Sequence, residues 1–360
     1  MDTNELIFLN AFNSIPGVGV ATLRLLKSRM GSFEHAWKSD LQFLATGAFS
    51  HPIAQIHAAR SGINPEKEFQ KLEQHEIWMI SEDDPLFPAP LREIPHAPLL
   101  LYGKGTMPDM QRKMIGIVGT RRPTAYGKEV AQTITKDLGH AGLMIASGLA
   151  IGIDTIAHRA ALSSRAPTVA VLGSGIDDRS LWPQENIMLC RAIVESGGAV
   201  ISEYAPGARA RKEYFPLRNR IIAGLSRGIL VVEARERSGA LITAQMALEQ
   251  NRDVFAIPGS IFSPTSVGTN LLIQQGAKLV MSAQDIFQDW GIEAAQKIAA
   301  KNGSLDTNEK IMLKLLEQET DVDTMRGQTD FDTPMLMSLL TLLELKGYIR
   351  QTGNNMYRAI

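Results

Sequence analysis

Between residues 112 and about 290 the chain alternates short, nearly unbroken apolar runs with helical patterns, and this alternation constrains the fold more than any other feature. The runs are MIGIV (114–118), LMIAS (143–147), TVAVL (168–172), AVISE (199–203), GILVVEA (228–234) and DVFAI (253–257). Helical periodicity fills the intervals 126–141, 153–164, 185–196, 217–225 and 238–250. A strand covered on both faces has no polar side to alternate with, so Val/Ile/Leu runs separated by helices indicate a buried parallel sheet. The fold class expected is α/β, an extended Rossmann-like, doubly wound, mostly parallel sheet.

The flanks differ in pattern. Residues 1–75 read as a helical domain of the helix-hairpin-helix or SAM-like type, in which SIPGVGVATLRLLKSR (14–29) sets a Pro-Gly-x-Gly turn before an amphipathic helix. Gly17 and Gly19 either offer backbone amides to a DNA phosphate or simply turn the chain between packed helices. The bridge DDPLFPAPLREIPHAPLLLYG (83–103) cannot be one regular element, because each proline lacks an N–H and fixes φ. Its LLLY end is expected as an edge or extra strand of a DNA-binding domain spanning 76–290. Residues 291–306 read as a linker with an N-cap at Asp306. Residues 307–360 read as a winged-helix domain, three helices and the hairpin YIRQTGNNMYRAI turning at Gly353-Asn354-Asn355. The helix TPMLMSLLTLLELKG has Lys346 as its one basic residue, so it suits protein contact better than major-groove readout.

Composition narrows the function classes. No apolar run approaches the ~20 residues of a membrane span, and the start MDTNELIFLN lacks the basic opening of a signal peptide, so a cytoplasmic location is expected. One cysteine, Cys190, excludes an internal disulfide and an all-cysteine zinc cluster, and is expected to be buried. HExxH, GxSxG and Walker motifs are absent, and neither a cofactor nor a metal is expected. The net charge of −1 gives no global attraction for a polyanion. Residues 205–237, however, hold eight basic against three acidic residues, whereas 301–360 hold seven against nine. A polyanion is therefore expected at the middle of the chain.

Ligands of open α/β sheets bind at the carboxyl ends of the strands. Here those ends read GTRR (119–122), SGLAIGID (147–154), GSGIDD (173–178), EYAPGARARKEYFPLRNR (203–220), ARERSGALITA (234–244) and PGS (258–260). The first is a strand–turn–helix unit suited to phosphate, yet Gly116 and Gly119 have the wrong spacing for the dinucleotide fingerprint. Ser147-Gly148, Gly173-Ser174 and Ser238-Gly239 can turn N–H groups and hydroxyls towards phosphate, Ser238 also as an N-cap. Arg121 is placed for a bidentate phosphate contact, while Arg122 points elsewhere or forms a structural ion pair. Lys212 and Phe215, read as lying on the loop before the 217–225 helix, pair a charge with an aromatic able to stack a base. Asn219 and Arg220 contact phosphate or cap that helix. Asp154 and His158, one turn apart, read as a helix-stabilising pair rather than acid–base machinery.

These motifs resemble the DprA (Smf) family: IVGTRRPTAYG, SGLAIGIDTIAHRAAL, SEYAPG, FPLRNRIIAGLSRGILVVEA, RSGALITAQMALEQNRDVFAIPGSI and GTNLLIQQGAKLV run in family order over residues 80–290. The resemblance implies a protein, not an enzyme, that binds single-stranded DNA and loads the RecA recombinase onto it, protecting incoming DNA in natural transformation. It also implies a homodimer. The family's DNA contacts fall on Arg121, Lys212, Phe215, Ser147-Gly148 and Ser238-Gly239. Ile151 stands where many members have Lys or Arg, and Trp182-Pro183 where Tyr-Pro is usual. The alternative function is a Rossmann-type enzyme acting on a nucleotide or related phosphate compound. The PGSIFSPTSVGTN loop (258–270) resembles the loop of nucleotide hydrolases of the lysine-decarboxylase-like family. It departs from that loop at Ser260 and Asn270 and by displacement of Gly268-Thr269.

Overall fold

The computed structural model describes residues 2–292, 306–318, 320–329, 331–345, 348–353 and 356–359. These residues fall into two compact units, one ending at Ile292 and one lying beyond it. Residues 293–305 of the expected linker, Lys346 and the turn residues Asn354 and Asn355 lie outside the described residues.

The first unit opens with five helices, α1 (Thr3–Asn13), α2 (Val20–Met30), α3 (Phe33–Lys38), α4 (Ser50–Ala59) and α5 (Pro65–Gln74). There follow β1 (Trp78–Ser81), α6 (Ala89–Arg92), β2 (Leu100–Gly105), β3 (Met114–Val118), α7 (Ala125–His140), β4 (Met144–Ser147) and α8 (Ile153–Ser163). The unit continues through β5 (Thr168–Leu172), α9 (Ile187–Glu195), β6 (Ala199–Ser202), α10 (Tyr214–Leu225), β7 (Gly228–Val231) and α11 (Gly239–Glu249). It ends with β8 (Asp253–Ala256), α12 (Val267–Gln274), β9 (Lys278–Leu279) and α13 (Ala283–Asp289).

The strands form one nine-stranded sheet in the order β1-β2-β6-β5-β4-β3-β7-β8-β9. All pairings from β6 to β9 are parallel, and the Pro-rich bridge delivers β2 antiparallel to β6 with β1 antiparallel beside it. The mostly parallel α/β sheet expected from the apolar runs is therefore present. Its two faces are built by alternation. Ala170, Leu172, Leu100, Tyr102 and Val200 belong to a core shared with α1–α5 and α9. Val169, Val171, Leu101 and Ile201 belong to the opposite core, under α6, α10 and α11. The five N-terminal helices thus cover one face of the sheet at β2, β6 and β5, and Asn13 binds it directly, donating to the Tyr102 hydroxyl (3.3 Å) and the Glu203 carbonyl (3.1 Å).

Order reverses at β3. Its neighbours are β4 on one side and β7 on the other, so the connections leaving β3 and β7 diverge and open a crevice above their carboxyl ends.

In the second unit, α14 (Thr307–Leu315), α15 (Val322–Gln328) and α16 (Thr333–Leu345) pack on a sheet ordered β10 (Thr320–Asp321), β12 (Met356–Ala359), β11 (Ile349–Gly353). Asp306 caps α14 in a reciprocal box with Glu309, and Met312, Leu316, Met325, Leu340 and Tyr357 fill the core.

Candidate nucleic-acid interface

The crevice is shaped by one buried carboxylate. Glu233, just past β7, accepts from the Thr124 N–H (2.9 Å), the Thr124 hydroxyl (2.6 Å) and the Thr265 hydroxyl (3.0 Å). Its carbonyl accepts from the Thr120 N–H (2.8 Å). The turn after β3 is therefore fixed at both ends, and Thr124 also caps α7 by accepting from the Gly127 N–H (3.1 Å). A Cβ at position 127 would lie 2.2 Å from Glu233 Oε2, which is why glycine stands there. The turn after β4 locks against the same loop. Gly152, at φ +95°, brings its backbone so close to Thr120 and Arg121 that a Cβ would meet the Thr120 carbonyl at 2.4 Å.

Between these turns lies an open concavity of about 550 Å³. Arg121, Lys212, Phe215, Arg235, Arg237, Ser238 and Gly239 line it, with Asp154, Arg218 and Asn219 beneath. Arg121 sits over the Phe215 ring, 5.6 Å from its centroid, a cation–π geometry that holds both side chains in the opening. Ser238 caps α11 by accepting from the Ala240 N–H (3.3 Å), so the positive end of this 11-residue helix faces the same space.

Five of the lining side chains are cationic and one is acidic, and that acid is committed to the fold. Asp154 accepts from the Gly148 N–H (3.1 Å) and the Ala150 N–H (3.3 Å). Burial pushes its carboxyl above the usual range, opposed by the Arg218 charge. Arg218 is itself buried and donates to the Gly148 carbonyl (2.6 Å), the Val171 carbonyl and Asn219 Oδ1 (3.1 Å). Burial, offset by Asp154 and reinforced by Arg121, brings its guanidinium down to about 10, so it stays charged at neutral pH. The concavity is thus a cationic, donor-rich surface on a rigid floor.

The structure brings together Arg121, Lys212, Phe215, Asn219, Ser238 and Gly239. Phe215 belongs to the first turn of α10 and not to the preceding loop, because that helix begins at Tyr214. Gly173 lies behind its ring, where a Cβ would come 3.0 Å from the Phe215 Cδ1.

Other expected contacts turn inward. Ser147 is fully buried and donates to the Ile117 carbonyl (2.6 Å). Gly148 spends its N–H on Asp154 and its carbonyl on Arg218. Ser174 is buried, with its carbonyl accepting from Ser202 Oγ (2.6 Å). Arg220 is buried in an ion pair, Nη2 donating to both Glu203 oxygens at 2.7 and 2.8 Å. Asp154 and His158 form no pair. His158 Nδ1 lies 2.8 Å from the Thr168 hydroxyl, and burial takes its imidazole down to about 3.

Sequence reasoning passed over Arg218, Arg235 and Arg237, although all three sit in the locally basic stretch 205–237. It also passed over Glu233, which closes an apolar strand and gives no signal before its partners are seen. No group of three or more metal-ligating side chains occurs among the described residues. None of the described helices is long and apolar enough to cross a membrane.

Fold and site together define the class: a mostly parallel α/β protein with a cationic cleft at its topological switch point. The model of the DNA recombination-mediator protein A family matches residues 78–291. DNA processing protein DprA of Bacillus subtilis is 40% identical over 263 residues, covering 70% of this chain and 88% of its own. Protein Smf of Escherichia coli is 35% identical over 287 residues, 77% of this chain and 76% of its own. The X-ray structure of Streptococcus pneumoniae DprA superposes with a TM-score of 0.66 at 36% identity, covering 80% of this chain and 98% of that one. A Helicobacter pylori DprA structure, described as showing that protein's single-stranded DNA binding mode, gives 0.54 at 27% identity over 60% of this chain and 95% of that one. The chain belongs to the DprA family of DNA processing proteins.

Proposed function

We propose that the concavity at the switch point binds single-stranded DNA without sequence preference, and that the protein hands the coated strand to RecA in the cytoplasm. The observation that carries this is the meeting of Arg121, Lys212, Phe215, Arg235 and Arg237 in one opening. The guanidinium and ammonium groups address phosphate, and when Arg121 swings from the Phe215 ring onto a phosphate it uncovers a planar face that only an unpaired base can reach. Base-edge readers are few. Asn219, the one amide on the lining, is held by Arg218 Nε, so sequence preference is not expected. The bound form is a homodimer, which joins two concavities into a longer track.

The test is titration of full-length chain with single- and double-stranded oligonucleotides across salt. Arg121→Ala and Lys212→Ala should each weaken single-strand binding about tenfold, irrespective of sequence, and flatten the salt slope by about 0.7 per lost phosphate contact. Equal affinity for duplex, or unchanged affinity in both variants, removes the site. In the same samples the Arg121 variant should lengthen the lag before RecA filaments form, and sedimentation should give the mass of two chains. No lag difference would remove the RecA role alone, and a single-chain mass the dimer alone.

A further inference from the structure

The loop after β8 carries two of the most exposed large apolar side chains of the described residues, Ile261 at 80% and Phe262 at 90%. Such a tip is costly in water unless something covers it, and a loose loop would fold it away. This loop is fixed instead. Gly259 exchanges two hydrogen bonds with the Asn270 side chain (3.2 and 3.0 Å), and a Cβ on it would overlap Ser266 Oγ at 2.1 Å. The Ser263 N–H donates to the Ser260 carbonyl (3.0 Å), and the Phe262 N–H to Ser260 Oγ (3.2 Å). The Tyr126 hydroxyl donates to the Pro258 carbonyl (2.9 Å), tying the loop to the first turn of α7.

The same loop is joined to the DNA concavity. Thr265 donates to Glu233, the carboxylate that also fixes the Arg121 turn through Thr124. The Thr265 carbonyl accepts from the Ala234 N–H (2.8 Å), the residue before Arg235. Phe262 is three residues from Thr265, and three residues of extended chain span at most ~11 Å. The aromatic tip is therefore carried on a loop bonded to the backbone just before Arg235, and Arg235 and Arg237 are exposed and line the concavity. Loop residues 258–266 carry no charge, so nothing in them repels a polyanion or attracts an acidic or basic protein surface.

We propose that Phe262 is a second base-stacking platform, occupied by an unpaired base of the same strand whose phosphates lie on Arg121, Arg235 and Arg237. The strand then runs across the rim from Phe215, over β7, to the loop after β8. This rests on the single-strand reading above, and the two fail separately.

The experiment uses full-length chain and oligothymidylates of graded length at fixed salt, read by anisotropy, with 2-aminopurine scanned along the longest. Phe262→Ala should weaken binding about 5–20-fold on long oligonucleotides, with the gap to the unsubstituted chain growing with length. It should also abolish the stacking quench at one probe position. Phe262→Trp should restore both, and Phe262→Leu neither. If Arg121→Ala weakens binding while Phe262→Ala matches the unsubstituted chain at every length, the second platform is refuted and the concavity stands. If neither substitution matters, the single-strand reading itself falls. Full rescue by Leu, or a change in sedimenting mass on Phe262→Ala, also overturns the proposal, assigning the tip to simple apolar cover or to self-association.

Discussion

Two arginines at the carboxyl end of the sheet, Arg121 and Arg220, do opposite work. Arg121 is exposed, its charge free for a phosphate, while Arg220 is buried and its charge is consumed by Glu203. Burial raises the Glu203 carboxyl, and the Arg220 cation opposes that rise, so each charge is tolerable in the interior only with the other present. Truncating Arg220 leaves an unpaired carboxylate beneath the rim. Arg220→Ala is therefore expected to cost about 3–5 kcal/mol in urea unfolding, against under ~0.5 kcal/mol for Arg121→Ala. The pairing of Arg220→Met with Glu203→Leu should recover most of the loss. If Arg220→Ala unfolds like the unsubstituted chain yet fails to bind oligonucleotide, Arg220 contacts DNA and the structural assignment is wrong.

At the scale of elements, the sequence was legible where burial is one-dimensional. Strands covered on both faces show as unbroken apolar runs, so β3 to β8 appear in MIGIV through DVFAI to within a residue at each end, except that β7 stops at Val231, three residues before the run GILVVEA ends. The outer strands gave less. LLLY, expected as an edge or extra strand, forms β2 inside the sheet, between β1 and β6. Strand β1 is four residues long with its first two half-buried, and β9 is two exposed residues, so neither carries a long buried run to detect. The candidate site was legible at positions where chemistry follows from the local chain: an arginine after a glycine turn, a serine before a helix. It was not legible where long-range partners decide. Nothing local separates Ser147, which points at the Ile117 carbonyl, from Ser238, which faces the concavity. Phe215 and Lys212 were found, but the helix that holds Phe215 begins three residues earlier than its apolar periodicity suggests, and its first residue, Tyr214, stacks on Tyr204 (4.0 Å between centroids), a partner ten residues back that the periodicity does not show.

At the scale of the molecule, the N-terminal helices are part of the sheet's own core. Leu9, Phe12 and Ile15 of this layer share one apolar cluster with Leu100, Tyr102, Leu172 and Val200. Tyr102 is fully buried there, its hydroxyl donating to Asn10 Oδ1 (2.8 Å), and Asn13 reaches the carbonyl of Glu203, the partner of Arg220 on the helix that carries Phe215. Each buried Leu, Ile or Phe side chain contributes about 1.5–3 kcal/mol, so removing the layer opens several such sites and strands the Tyr102 hydroxyl. The unit beyond Ile292 fills a core of its own, from Met312 to Tyr357. Two truncations should therefore behave differently. Chain 1–292 is expected to keep the unfolding midpoint of its sheet and to bind a short oligothymidylate within about twofold of full length, since every lining residue of the concavity lies before residue 244. Chain 76–360 is expected to lose more than ~5 kcal/mol of stability and with it cooperative unfolding of the sheet. Near-ultraviolet circular dichroism through a urea series separates the cases: a sharp transition in 76–360 at the full-length midpoint would show that the helical layer is an appendage, and that the rim is positioned by the sheet alone.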